Sequence, residues 1–130
     1  MSAPTPTVQM RIRVYLGSEP ALGPGRAELL ARIRETASIA RAARDMGMSY
    51  MKAWKLVQSL NGCFRTPAVE VRRGGRAGGE AHLTPLGEQA LALYQRMEAA
   101  SRSAVQAAEA EIAGLFRADS SPPTGQKSVR

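Results

Sequence analysis

The stretch SIARAARDMGMSYMKAWKLVQSLN, residues 38–61, decides the fold of this 130-residue chain. Its first half has apolar residues at the i, i+3, i+4, i+7 spacing of one helix face: Ile39, Ala42, Ala43 and Met46. Ser38 precedes this face as an N-cap, and Gly47 follows it, where a left-handed residue ends a helix. The first half therefore predicts a short helix with both of its ends specified.

The second half predicts another helix, which begins after Ser49 and extends to about Asn61. Its inward stripe is expected to be Tyr50, Ala53, Val57 and Leu60, with Trp54 at the edge. Two short helices joined by a tight turn that contains glycine form a helix-turn-helix. The step of 100° per residue places a polar, cationic front opposite the stripe: Met51, Lys52, Lys55, Gln58 and Ser59. A recognition helix presents such a front to the major groove, but an ordinary amphipathic surface helix has the same pattern.

The segment after this helix favours DNA. Residues 68–73 alternate as a strand, residues 74–80 form a glycine-rich turn, and residues 81–83 return as a second strand. This hairpin carries Arg72, Arg73 and Arg76, and such a wing, here residues 72–80, lays arginines along phosphates. The turn lacks the Gly-Lys-Ser/Thr ending of a P-loop and the spacing of GxGxxG, which argues against a nucleotide site.

The N-terminal region is predicted to contain one strand and one helix. Residues 1–7 read as a flexible arm, and residues 8–16 alternate as a half-buried strand with a basic outer face. Residues 17–25, rich in glycine and proline, are expected to form a loop. A helix over about residues 26–37 then places Leu29, Leu30 and Ile33 on its apolar stripe.

A long helix is expected over residues 84–118, with Thr84 as N-cap and Pro85 in its first turn. Its apolar and small residues step by three or four for more than thirty residues, and a small domain cannot bury so long a stripe. Pairing with a second chain as a twofold dimer would bury it, whereas fraying beyond about residue 105 is the alternative. Residues 119–130 are expected to be a disordered tail.

Charge and composition exclude several classes of function. The net charge of +7 lies within residues 1–83, whereas residues 84–118 carry a net charge of −1. Arg, Lys or Glu breaks every strongly apolar stretch before it reaches the length of a membrane span, and residues 1–7 lack the features of a secretory signal. A single cysteine, Cys63, excludes an internal disulfide and fits a cytoplasmic protein. With His82 as the only histidine, the sequence offers no nucleophile arrangement, so an enzyme is not expected.

The chain also resembles a known family. The residues that carry the resemblance are Ser38-Ile39, Ala42-Ala43, residues 47–50, Ala53-Trp54, Leu60-Asn61, Gly74-Gly75, Gly78-Gly79, Leu83-Thr84 and Gly87. They are similar to the N-terminal DNA-binding domain of ModE-type molybdate-responsive regulators, a winged helix-turn-helix related to the LysR type. The resemblance implies a helical dimer interface, built from the first helix and the helix after the wing, and a third helix in the major groove. Met51 departs from it, because this position is often basic in the family.

The resemblance does not extend to molybdate sensing. Family members that sense molybdate hold it in C-terminal Mop/TOBE-type domains, for which we find no sequence here. We therefore expect no cofactor, although molybdate or tungstate stays possible, and we expect double-stranded DNA as the partner.

The sequence therefore predicts a mainly α fold with a small β part, a winged helix-turn-helix over residues 8–83 with an N-terminal strand and a long C-terminal dimerisation helix. We predict a homodimeric, sequence-specific transcriptional regulator that does not bind membranes. The alternative is an oxyanion-responsive or partner-binding adaptor on the same scaffold. The expected DNA-binding residues are Ser49, Tyr50, Met51, Lys52, Lys55, Gln58, Ser59, Arg72, Arg73 and Arg76. The expected dimer-interface residues are Leu29, Ile33, Leu86, Leu93, Met97, Ala104 and Ile112.

Overall fold

The computed structural model describes residues 4–73 and 79–117. Its elements, in chain order, are β1 (Val14–Leu16), β2 (Glu19–Leu22), α1 (Pro24–Thr36), α2 (Ile39–Asp45), α3 (Tyr50–Cys63), β3 (Val69–Arg73), β4 (Gly79–Leu83) and α4 (Pro85–Ala113). The strands form two separate antiparallel pairs, β1 with β2 and β3 with β4. The prediction of a mainly α fold with a small β part is confirmed.

In the N-terminal region, the structure differs from two predictions. The strand expected over residues 8–16 is only Val14–Leu16, and the loop expected over residues 17–25 contains the strand Glu19–Leu22. Gly17, with φ of 61°, makes the turn between them. Alternating apolar residues indicate which side chains face the core. A β-ladder also requires a neighbouring strand, which the alternation does not predict. Before Val14, Met10 and Ile12 are half-buried, whereas Val8 is exposed, and residues 8–13 have no strand partner among the described residues.

Helix caps set the ends of the four helices. α1 begins at Pro24, whose missing N–H costs nothing in the first turn, two residues before the predicted start. It ends at Ala37, which takes the left-handed conformation with φ of 56° and donates its N–H to the Ile33 carbonyl at 2.8 Å. Thr84 caps α4 by accepting the Gly87 N–H at 3.0 Å. The predicted caps Ser38, Ser49 and Thr84 are therefore confirmed.

One hydrophobic core joins α1, α2, α3 and the first third of α4. Leu29, Leu30 and Ile33 of α1 are fully buried against α2 and α3. Small residues stand where α2 and α3 approach each other, and their small side chains allow the two backbones to come close: Ala42, Ala43 and Ala53. Leu91 and Tyr94 complete the core from α4.

The start of α4 lies unusually close to the start of β3. A Cβ atom placed on Gly87 would collide with the Ala68 carbonyl oxygen and would lie 3.0 Å from the Ala68 carbonyl carbon. The same oxygen accepts the Thr84 N–H at 2.9 Å. Glycine at position 87 therefore permits the contact by which the β3–β4 hairpin and α4 are joined.

α4 extends far beyond the core. At 1.5 Å per residue, its 29 residues span about 43 Å. Its buried residues are Gly87, Ala90, Leu91 and Tyr94, so burial ends about ten residues into the helix. No described helix is long and apolar enough to cross a membrane.

Candidate nucleic-acid interface

The turn between α2 and α3 is fixed by backbone hydrogen bonds. Gly47, with φ of 70°, donates its N–H to the Arg44 carbonyl at 3.1 Å. Met48 donates its N–H to the Ala43 carbonyl at 3.0 Å. These two bonds form a Schellman motif, which ends α2 and turns the chain directly into the next helix. The prediction of Gly47 as the left-handed residue of this turn is confirmed.

Ser49 holds the first turn of α3. Its hydroxyl oxygen accepts the Lys52 N–H at 3.1 Å, and the Ser49 residue itself is exposed. Because the oxygen acts as the acceptor in this bond, the hydroxyl hydrogen can still donate to an anion. The N-cap therefore orients the helix and leaves one polar hydrogen on its exposed end.

α3 has one buried face and one exposed face. Ala53, Val57 and Leu60 are fully buried, as the periodicity predicts. The opposite face exposes Met51, Lys52, Lys55 and Gln58. The helix contains no acidic residue, and its two lysines form no ion pair among the described residues. The structure thus brings these four predicted residues together on a cationic surface, which suits a polyanion.

One prediction for α3 is wrong, and one residue of the predicted front is less exposed than expected. Tyr50, expected on the inward stripe, is 50% exposed and stacks on Trp54 with the ring centroids 6.5 Å apart and an interplanar angle of 17°. At the first position of the helix, the chain is still leaving the turn, and the core does not reach the side chain. Ser59, expected on the front, is half-buried, because it accepts a hydrogen bond from the Arg26 guanidinium at 3.3 Å.

Arg26 was not anticipated as part of this region. Its side chain crosses from α1 to α3, and its Nε is buried without a hydrogen-bond partner among the described residues. The sequence shows only an arginine in a first helical turn, where nothing indicates a contact with a residue 33 positions later. Only the packing of α1 against α3 places it there.

The base of the β3–β4 hairpin is fixed to the helices. The Asn61 side chain accepts the Ala68 N–H at 2.8 Å and the Val69 N–H at 3.0 Å, and it donates to the Val69 carbonyl at 3.0 Å. On the other strand, Ala81 donates its N–H to the carbonyl of Ala37 at 3.0 Å. The hairpin therefore leaves the domain in a set direction relative to α3.

The predicted wing residues are only partly described. Arg72 is exposed on β3, opposite Glu80 in the register. Glu80 in turn contacts His82, with 3.1 Å between the carboxylate oxygen and Nε2. The Arg73 side chain and all of Arg76 lie outside the described residues. The exposed described positions of the hairpin thus carry both signs of charge.

Two of the expected dimer-interface residues are misplaced. Leu29 and Ile33 have no exposed surface, because α2, α3 and α4 of the same chain cover them, so they cannot contact a second chain. Leu86 is half-buried against the core. The remaining four are exposed along α4: Leu93, Met97, Ala104 and Ile112.

Tyr94 ties the N-terminal segment to α4. Its hydroxyl donates to the Ile12 carbonyl at 2.7 Å, and its ring is fully buried. Burial raises the pKa of Tyr94, and nearby Glu98 raises it further, whereas Arg13 acts in the opposite direction. Beside this contact lies an open cleft of about 300 Å³, lined by residues 8–12, Pro24, Glu98, Ser101 and Arg102.

The described residues offer little for catalysis or metal binding. They contain no group of three or more His, Cys, Asp or Glu side chains that would hold a metal ion. The half-buried Cys63 has its Sγ atom 3.7 Å from the Pro20 carbonyl oxygen, which indicates a packing role.

Comparison with known proteins gives molybdenum-pterin-binding proteins and ModE regulators as relatives. The chain is 47% identical over 78 residues to the molybdenum-pterin-binding protein MopB of Rhodobacter capsulatus, which is 60% of this chain and 29% of MopB. It is 38% identical over 99 residues to MopA of the same organism, 76% of this chain and 37% of MopA. It is 38% identical over 71 residues to the DNA-binding transcriptional dual regulator ModE of Escherichia coli K12, 55% of this chain and 27% of that protein.

The matched region is therefore about a third of the length of these relatives. No protein-family model matches the chain. The homologues of this chain are ModE regulators and Mop proteins, which confirms the resemblance to a ModE-type domain.

Proposed function

We propose that this chain is a sequence-specific, DNA-binding transcriptional regulator that acts as a homodimer. The observation that carries the proposal is the exposed face of α3. It has no acid and two lysines that form no ion pair within residues 4–73 and 79–117, and its backbone is held by the turn at Gly47 and the cap at Ser49. The similarity to a ModE protein named as a DNA-binding regulator supports the same function. None of these relatives carries the name of an enzyme, which favours a non-enzymatic role.

In this proposal α2, the turn and α3 form the helix-turn-helix, and β3–β4 forms the wing. Lys52, Lys55 and Gln58 meet base edges and nearby phosphates in the major groove. Ser49 donates its hydroxyl to a phosphate, and the arginines at positions 72, 73 and 76 contact the DNA backbone. Tyr50 lies at the exposed start of α3, where it makes at most a partial contact with the DNA backbone.

The second chain covers the outer side of α4. Leu93 and Met97 are each at least 40% exposed, although large apolar side chains are usually buried in a monomer. Small residues such as Ala104 separate them from Ile112 and would allow the two helices to approach closely. A twofold pairing of α4 would bury both apolar ends at once.

Selection of bound duplexes from a random pool, with the full chain, tests the proposal. We expect a palindromic motif whose half-sites lie one helical turn apart, about 34–36 Å. About six phosphate contacts per dimer would lower the affinity about a thousandfold between 50 and 200 mM salt. An affinity for duplex DNA that does not change with salt would contradict the proposal.

Two variants separate the roles of α3 and the hairpin. Lys55→Ala should relax the sequence preference, whereas Arg72→Ala should weaken all duplexes alike and reduce the salt dependence. Arg76→Ala is expected to behave like Arg72→Ala, and a change in sequence preference alone would contradict the wing assignment.

Met97→Glu should shift the dimer towards monomer in sedimentation equilibrium, with exposed Gln95 replaced by Glu as the control.

A second candidate is an oxyanion-responsive adaptor. It is favoured by the names of MopA and MopB and by the cleft beside Tyr94, to which Arg11 and Arg102 bring two positive charges and Glu98 one negative charge. Thermal stabilisation by molybdate or tungstate, but not by sulfate, and its loss in Arg11→Ala/Arg102→Ala would support it. The absence of any anion-specific stabilisation would leave DNA binding as the function.

A further inference from the structure

Met51 is an exposed apolar residue beside the two lysines of α3, and the half-exposed Tyr50 precedes it. Met51 is the second residue of α3, and its side chain is 57% exposed. Its neighbours on the exposed face are Lys52 and Lys55, and the buried face of the helix is formed by other residues. Packing within the chain therefore covers less than half of this methionine.

The position of Met51 suits contact with bases. The N-terminal residues of a recognition helix reach the base edges in the major groove. The Ser49 cap fixes the backbone of this first turn through the Lys52 N–H, so the Met51 side chain leaves from a defined point. Methionine is unbranched and adapts its shape to the surface that it contacts.

The chemistry of the major groove selects one group for this side chain. In the major groove, adenine, guanine and cytosine offer polar donors and acceptors. Thymine offers its O4 acceptor and also a 5-methyl group, which is the apolar group among these base edges. A thioether is no donor, so against guanine it would leave O6 and N7 without partners. A basic residue at the same position would instead favour those two acceptors.

We infer that Met51 makes this chain prefer thymine at one position of each half-site, through contact with the thymine 5-methyl group. The inference rests on the proposed DNA-binding function and names the base that this part of α3 selects. The preference has two sources, the burial of methyl against thioether and the two guanine acceptors that the same contact would leave unsatisfied.

The test uses the duplex selected with the full-length chain. Each thymine of one half-site is replaced in turn by deoxyuridine, which removes only the 5-methyl group. Burial of one methyl group accounts for about a fourfold change in Kd, and the same replacement in both half-sites for about 15-fold. A 5-methylcytosine at that position should bind more tightly than cytosine, because it restores the methyl group.

Three variants show whether Met51 is responsible. Met51→Ala should lower the deoxyuridine effect to less than about twofold, because the methyl partner is gone. Met51→Leu should keep the effect. Lys55→Ala is the matched control on the same face: it should relax the preference at the bases that Lys55 contacts, yet the loss on removing the methyl group should remain about fourfold.

The outcomes distinguish this inference from the proposed function. If the wild-type chain selects no duplex, the proposed function fails and this inference fails with it. If the chain selects a duplex but no thymine is sensitive to loss of its methyl group, or Met51→Ala is equally sensitive, the inference is wrong and DNA binding stands. Circular dichroism of Met51→Ala should match the wild type, because the exposed side chain adds little to the fold.

Discussion

Replacing Gly87 by alanine should destabilise the chain more than any other single methyl addition to a described helix start. The added Cβ would collide with the Ala68 carbonyl oxygen and would lie 3.3 Å from the Ala68 Cα. Both partners are backbone atoms, so no side chain can rotate away. The start of α4 must move from β3, which would strain the hydrogen bond from Thr84 N–H to the same oxygen.

The magnitude follows from three contributions. Overpacking costs about 1–3 kcal/mol. Loss of the partner of a buried carbonyl costs about 1–3 kcal/mol more. The higher helix propensity of alanine returns up to about 1 kcal/mol. We therefore expect a loss of about 3 kcal/mol, which lowers the Tm of a chain of this size by about 10 °C.

Thermal unfolding followed by circular dichroism measures this effect, and Gly25→Ala is the matched control. Gly25, like Gly87, lies in a helical first turn shortly after a proline, but a Cβ there would meet no atom within 4 Å. Gly25→Ala should leave the Tm unchanged or raise it slightly. If the two variants melt at the same temperature, the close approach of α4 to β3 does not exist and the reasoning is refuted.

Substitutions at four further positions have effects of defined sign. Gly47→Ala should cost about 1 kcal/mol in urea unfolding because its φ is 70°, whereas Ala37→Gly, at φ of 56°, should gain up to about 1 kcal/mol. Asn61→Ala should cost about 2–4 kcal/mol, since it leaves two strand N–H groups without their acceptor, and Asn61→Asp, which keeps the acceptor, should cost less. Tyr94→Phe should cost about 1 kcal/mol at neutral pH, through loss of the bond to Ile12. The raised pKa of Tyr94 contributes stability below its ordinary value of 10.0 that is lost as the pH rises above it, so the gap between wild type and Tyr94→Phe should narrow there. A constant gap up to pH 11 would contradict this.

The helices were predictable because their signals are local. Ser38, Ser49 and Thr84 cap the helices that the sequence assigns to them, through bonds to residues three positions later. Gly47 ends α2 through bonds that span five residues at most. The buried and exposed faces of α3 follow from a repeat that is equally local, and only its first residue, Tyr50, and its edge residue, Ser59, differ.

The errors share a different cause. Leu29 and Ile33 are apolar on a helix face, and the sequence does not say whether the same chain or a second chain covers that face. Residues 8–13 alternate as a strand does, but in the part of the chain that the structure describes they have no neighbouring strand with which to pair. The contact between Tyr94 and Ile12 spans 82 residues, and the contact between Arg26 and Ser59 spans 33. Neither has a local signal.

What the sequence alone determined is therefore the order of the helices, their caps, the exposed residues of α3 and the location of the basic charge, because each depends on neighbours within one or two helical turns. What only the tertiary structure decided is which apolar faces remain exposed on α4, how the hairpin is held by Asn61 and Ala37, and why position 87 must be glycine. Those features depend on distances between segments far apart in the chain, and these distances are set when the core closes around α1.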